Sequence, residues 1–371
     1  MSLSEIAAVL PTAAEVIARD AERGFHHGGQ LYVSRRGEAI IDAPFGRLED
    51  GREYPADALV NWLSAGKPLT AVAIMQLVER GQLDLDQRVA EFIPEFAQGG
   101  KEPITIRHLL MHTGGFRSSE TGYPQASWDE IIATICAMPR EDDWDVGETA
   151  GYHAVTSWFM LGEVIRRIDG RPIADYLADE VLAPIGMTDS RLTMTPEYWR
   201  ENRGRITPAY RRLGAKQKQL DWHEQQRCTS PSPGSSMRGP LRDLGTFYEA
   251  MLATLSGQRE DFLSTRGAKT MTARLRDGTY DRTFMHVVDF GLCFMVDSNR
   301  HGAETIAYGY GRHSSARAFG HGGAQSAIGF ADPEYDLVVT WAFDTLIGEP
   351  KHNRRNRELN SAIYEDLGLT S

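Results

Sequence analysis

Lysine, cysteine and uninterrupted apolar sequence are what this chain of 371 residues has least of. Six lysines stand against 51 acidic residues, and the net charge is −11. An acidic balance of that size argues against nucleic acid or anionic membrane as the main partner. No stretch approaches the ~18 consecutive apolar residues that a membrane-crossing helix needs. The first residues, MSLSEIAAVLPTAAEVIARDAERG, show neither a basic region nor a long apolar one, so no signal peptide is expected. Cys136, Cys228 and Cys293 are odd in number, far apart and without metal-like spacing. Reduced thiols in a cytoplasmic protein are expected from that pattern, with none of the three as catalyst.

What the chain does have is a stretch from Asn61 to Gly81 around which the rest is organised. From Leu69 to Val78 it reads LTAVAIMQLV, apolar on every face, which predicts a helix buried on all sides. Pro68 places the start of that helix near Ala65 or Gly66, because proline is tolerated only where its missing N–H has no partner. Ser64 and Lys67 then fall in the first turn and project from one side. A serine hydroxyl needs a base to become a nucleophile, and a lysine serves if burial and nearby cations lower its pKa toward neutrality. The pair alone is weak: with 21 Ser and 6 Lys, chance supplies about one third of such a match. Its force comes from context, a cation leading directly into a helix with almost no polar face.

Residues 3 to 23 read as an opening amphipathic helix, and Gly29 to Gly46 as a β-hairpin turning at Arg36-Gly37. Helical periods follow at Trp128 to Met138, Tyr152 to Ile168, Ile173 to Leu182 and Leu241 to Leu255, with a last one from Asn353 to Leu367. Residues 196 to 235 carry no clear period and read as a long connection or lid. Its arginines (Arg200, Arg203, Arg205, Arg211 and Arg212) contact either an acidic substrate or only solvent. VVDFGLCFMVD and SAIGFADPEYDLVVTWAFD supply at least three strands. Strands near both ends with helices between predict an α/β (α+β) protein, whose antiparallel sheet is built from both termini and flanked by helices. The expected division is 1–80 with 270–371 as the sheet domain and 81–269 as a mostly helical insertion, with the active site at their junction.

Two further sites join Ser64 and Lys67. Gly151-Tyr152-His153-Ala154 opens a predicted helix, and Tyr152 could share a proton with Lys67 if cationic neighbours lower its pKa from ~10. Phe319-Gly320-His321-Gly322-Gly323-Ala324 leads into a strand, where bare backbone admits a ligand and the Ala324 and Ser64 amides could form an oxyanion hole. His321 would face the same cleft. His112-Thr113-Gly114-Gly115 is a rival copy of the glycine motif. His108 and His112, four apart, have the spacing of two metal ligands, but no Glu follows as in HExxH and no third ligand is evident, so no metal is expected. No cofactor is expected either. His26-His27 are placed facing solvent, and Gly309-Tyr310-Gly311 lacks the lysine and helix of a phosphate loop.

In their order along the chain, SAGKPLTA, LVERGQLDLDQRV, ITIRHLLMHTGGF, GYHAVTSWFMLGEVIRRIDGRPI, FGHGG and GFADPE resemble the serine β-lactamase-like hydrolases. These are the class C β-lactamase and penicillin-binding-protein fold, and the likeness, over about residues 29 to 345, is greatest to the carboxylesterase branch. The resemblance implies Ser64 as acylated nucleophile, Lys67 and Tyr152 as the proton-handling pair, and the Ser64 and Ala324 amides as oxyanion hole. It matches His321, Gly322 and Gly323 to the strand lining the site, puts His153 with them on the substrate side, and makes 112–115 a structural loop. Tyr152-His153-Ala154 replaces the family's Tyr-x-Asn, and His321-Gly322-Gly323 replaces Lys-Thr-Gly; Val146 stands where proline often precedes Gly147. Loss of the amide and of the permanent cation disfavours β-lactams and D-peptides and favours neutral acyl esters. The expected function is therefore a serine esterase on small or medium acyl esters. An acyltransferase or amide-forming enzyme using the same acyl-enzyme is the alternative, and a lactamase, a D-amino-acid peptidase or a non-catalytic binder of the ligand stands further off. The expected partner is a small-molecule ester or amide, with the oligomeric state left open.

Overall fold

The turn at Arg36-Gly37 forms in the computed structural model, which describes residues 3–370: both residues are left-handed, at φ 56° and 76°. They join antiparallel strands Gly28–Arg35 and Glu38–Gly46. The first of these pairs along its other edge with Leu337–Phe343, Gly29 opposite Phe343 and Arg35 opposite Leu337, so the two ends of the chain meet in the middle of one sheet. From that junction the sheet continues through Ala327–Asp332 and Phe319–Gly323 to Met295–Val296, six strands in all.

Side-chain alternation gives the sheet two apolar faces. Leu31, Val33, Val339 and Trp341 point to one core, covered by helices Pro11–Glu22 and Glu349–Asp366. Tyr32, Val338 and Ala342 point to the other, which is shared with helices Leu241–Leu255, Lys67–Glu79 and Thr156–Asp169. The helical residues between the two halves of the sheet thus build their core against one sheet face.

Several elements differ from the sequence reading. The opening helix is two, Leu3–Val9 and Pro11–Glu22, broken where Pro11 has no N–H to continue the first. The helix expected from Tyr152 begins at Thr156. Phe319–Gly323 is a strand, as the resemblance implies for 321–323, but a turn separates it from the next strand, which starts at Ala327.

The 196–235 segment is folded. It contains helix Pro196–Glu201 and a hairpin of Tyr210–Leu213 with Lys216–Gln219, and Thr345–Leu346 adds in parallel to that hairpin. Its arginines serve this local structure: Arg205 holds Asp189 and the Asp57 carbonyl, Arg200 pairs with Glu197, Arg203 lies over Trp199, and Arg212 donates to carbonyls at Arg23 and Gly24. Strands of four residues are too short for a period to register.

His26, expected at the surface, is buried against Phe45 and Phe343, and burial lowers its pKa to about 3. Its neighbour His27 is drawn to Asp344, Nδ1 to Oδ2 at 3.4 Å. Among the described residues no helix is long and apolar enough to cross a membrane.

Candidate active site

Strand Val60–Asn61, paired with Arg238–Gly239, delivers the chain to a tight 3₁₀ turn at Leu63–Gly66. Leu63 is left-handed there, at φ 51°, and its N–H is held by the Asn61 Oδ1 at 3.1 Å. The α-helix Lys67–Glu79 follows, with Pro68 where its missing N–H costs nothing, and every residue from Lys67 to Leu77 is buried. Ser64 and Lys67 therefore share one side, Nζ 3.0 Å from Oγ.

Lys67 is 0% exposed, and its Nζ also donates to the carbonyls of Ala154 at 2.8 Å and Gly234 at 2.6 Å. Burial lowers its pKa to about 7; the cationic neighbours expected to help are not what does it, and the Cys293 thiol works in the opposite direction. A neutral amine has two N–H groups and one lone pair. With both N–H groups taken by the two carbonyls, the lone pair is left for the Ser64 hydroxyl, the arrangement of a general base.

Tyr152 is fixed through its backbone. Its N–H donates to Asp281 Oδ1 at 3.1 Å and its carbonyl accepts from the Thr283 hydroxyl at 3.1 Å. Lys67 Nζ lies 5.4 Å from the centre of its ring. The phenol oxygen is buried, and burial holds the phenol well above its usual pKa, with the Ser64 hydroxyl beside it pulling the other way. The expectation of a tyrosine acidified by cations is thus corrected. Tyr152 is a neutral phenol, suited to donate a proton rather than to remove one.

Strand Phe319–Gly323 runs directly against the Ser64 turn. A Cβ on Gly323 would lie 2.3 Å from the Trp62 carbonyl oxygen, and one on Gly322 would lie 2.2 Å from the Tyr308 ring, so both positions need bare backbone. That contact brings Ala324, the first residue of the following turn, beside Ser64 in the cleft wall. His321 lines the same cleft, with Nδ1 2.8 Å from the Gly322 carbonyl. A carbonyl only accepts, so Nδ1 carries the proton and the buried, unpartnered Nε2 presents a lone pair. Burial first, then Lys67, lowers its pKa to about 3, which makes it neutral at any working pH.

His153, expected on the substrate side, does not line the cleft. Its Nε2 accepts from the Gly115 and Phe116 N–H groups at 3.0 and 3.1 Å, and its own N–H donates to His112 Nδ1 at 3.1 Å. The rings of His153 and His112 stack 5.9 Å apart, and His112 packs on Tyr152 at 4.6 Å. The HTGG loop at 112–115 is thus the backing of Tyr152. Burial keeps His153 neutral, at about 4, and His112 well below the usual imidazole range. His108 faces elsewhere, accepting the Thr105 N–H at 3.1 Å. No cluster of metal-type side chains occurs among the described residues.

Ser64, Tyr152, His321, Gly322 and Ala324 border one cavity of about 240 Å³. Its remaining walls were not foreseen from the sequence: Thr283 and Phe284, Met295, Ala307 and Tyr308, and Glu349 with Asn353 from the last helix. None of the 196–235 arginines lines it. Glu349 accepts from the Tyr308 hydroxyl at 2.9 Å and from Gln325 Nε2 at 3.2 Å. Asp281, also missed, is 0% exposed; beyond Tyr152 it accepts the N–H groups of Thr283 at 2.9 Å and Phe284 at 3.0 Å and pairs with buried Arg276 at 2.9 Å. Its one signal in the sequence is an aspartate two residues before a threonine, the spacing of an Asx turn.

The Beta-lactamase family model matches residues 13–363. Esterase EstB of Burkholderia gladioli is 30% identical over 183 residues, 44% of each chain. The chain spans under half the length of the curated relatives it matches first, 44% in each case. Among solved structures, a family VIII carboxylesterase superposes with a TM-score of 0.77 at 23% identity, over 96% of this chain and 97% of its own. EstCE1, a hydrolase with promiscuous acyltransferase activity, gives 0.78 at 18% identity, over 98% and 99%. At those identities the likeness is one of fold.

Proposed function

The chain belongs to the beta-lactamase family, and from that premise and the geometry at Ser64 we propose that it is a serine carboxylesterase acting on small or medium acyl esters. The observation that carries this reading is the fully buried Lys67 amine, tied to two carbonyls and 3.0 Å from the Ser64 hydroxyl. Lys67 Nζ takes the proton as Ser64 Oγ attacks the ester carbon. The N–H groups of Ser64 and Ala324 receive the oxyanion. Tyr152 relays the proton from Lys67 to the departing alcohol, which leaves Ser64 acylated. A water molecule, deprotonated by Lys67, then releases the acid and restores Ser64.

Neutral His321 stands where a cation would hold the carboxylate of a β-lactam or peptide, and Glu349 at the rim repels one. Substrates without a carboxylate fit such a cavity. Transfer of the acyl group to an acceptor other than water is the second outcome open to this chemistry. The 196–235 segment gives it no support, since none of its arginines lines the cleft. Three buried, unpaired thiols suit a cytoplasmic location.

Short-chain p-nitrophenyl esters, a β-lactam and a D-peptide amide, assayed side by side, test the reading, together with fluorophosphonate labelling. Turnover of the esters and a mass shift on the Ser64 peptide are expected. Absence of both overturns it, and product analysis with added alcohols or amines separates hydrolysis from transfer.

A further inference from the structure

Every polar group on the cavity wall is neutral except one. Glu349 is the only formally charged side chain that borders it among the described residues, and it forms no ion pair. The Tyr308 hydroxyl and Gln325 Nε2 hold its carboxylate in place without neutralising it. The Lys67 amine lies behind Ser64 and is spent on Ala154, Gly234 and the nucleophile, while Lys351 and Arg355, on the same helix as Glu349, lie over the rings of Phe25 and Phe343.

Three aromatic rings share the same cavity. Tyr152 and Phe284 are 5.0 Å apart between centres, and Phe284 and Tyr308 are 5.9 Å apart. Ring faces with a carboxylate at the rim form an environment that attracts an ammonium group, above all a weakly hydrated quaternary one. A bare hydrocarbon pocket would have no use for the acid, and a carboxylate-binding one would exclude it.

We propose that the substrate of this site is an ester that carries an ammonium group, held by the Glu349 carboxylate and the rings of Tyr152, Phe284 and Tyr308 while Ser64 attacks the ester carbon. The proposal rests on the esterase reading and narrows it to a substrate class. Glu349 is here a specificity residue, not part of the proton path.

Matched esters differing only in nitrogen or carbon at one centre test it. Acetylcholine against neohexyl acetate places the charge on the alcohol. A p-nitrophenyl trimethylammoniobutanoate against its tert-butyl analogue places it on the acyl group. In at least one pair the cationic ester is expected to have a kcat/KM about tenfold higher, with the advantage shrinking in high salt. Glu349→Gln abolishes the preference, and Glu349→Asp, which keeps the charge, retains it. Tetramethylammonium chloride is expected to compete with neohexyl acetate on the unaltered enzyme, where sodium chloride at equal ionic strength does not. Equal rates within both pairs, or a preference that falls alike in the Gln and Asp variants, overturns the proposal. Hydrolysis without charge preference defeats this inference alone, whereas no hydrolysis and no Ser64 labelling defeat the esterase reading beneath it.

Discussion

A lysine that works as a base must be kept dry, and Lys67 is kept so on all sides. With its pKa lowered to about 7, the fraction of neutral amine rises as pH rises through that value. The pH profile of kcat/KM is therefore expected to climb through about 7. His321, at about 3, adds no second limb in that range, and Tyr152, raised by burial, keeps its proton throughout. Lys67→Arg, charged at every working pH, is expected to lose on the order of 10³-fold in kcat with short esters. At this scale the sequence was legible where partners are local: Ser64 and Lys67 are one turn apart and their burial follows from an apolar helix. The sense of the Tyr152 shift was not, because burial and not neighbouring charge sets it. Nor was the inward turn of His153, whose ring satisfies two backbone N–H groups of a loop 37 and 38 residues away in sequence.

Elements place those residues by close approach of backbones. Gly323→Ala puts a methyl group where the Trp62 carbonyl stands, so the Phe319–Gly323 strand must retreat from the Ser64 turn and take the Ala324 N–H with it. Activity is expected to fall on the order of 10²-fold in kcat, with far-UV circular dichroism unchanged. Asp281 joins a second pair of segments by holding Tyr152 and the Thr283-Phe284 wall together. Asp281→Asn can keep one oxygen toward the Tyr152, Thr283 and Phe284 N–H groups, but it removes the charge opposite Arg276 and turns an NH2 donor against the guanidinium. We expect kcat to drop about tenfold or more and the protein to lose ~3 kcal/mol in urea unfolding. The His-Gly-Gly motif was readable only through the family resemblance, which told it apart from the rival copy at 112–115. The Asp281 contacts span 129 residues to Tyr152, and no local pattern carries that distance.

Across the whole molecule, one helix caps another. The first-turn N–H groups of Thr12 and Ala13 have no capping side chain from Leu10, and the Asp366 carboxylate accepts both, at 3.1 and 3.0 Å. Asp366→Ala is expected to cost ~1 kcal/mol in urea unfolding, with ester hydrolysis intact. The meeting of both termini in one sheet was legible from strands at each end with helices between. The fold of 196–235 was not, since its hairpin gains order by pairing with Thr345–Leu346 far along the chain.

His26, His112, His153, His321 and His352 are all buried and held neutral, each by burial in the first place. Below an unfolded pKa of about 6.5 the open chain binds protons at these rings while the native chain refuses them, so stability declines as pH falls. Each ring approaches ~1.4 kcal/mol per pH unit once the open chain is protonated, against a typical total of ~5–15 kcal/mol. The urea midpoint is expected to drop steeply between pH 7 and about pH 5. Souring alone is thus expected to unfold this protein, and on the esterase reading, in which every turnover releases a carboxylic acid, lasting activity depends on a buffered milieu.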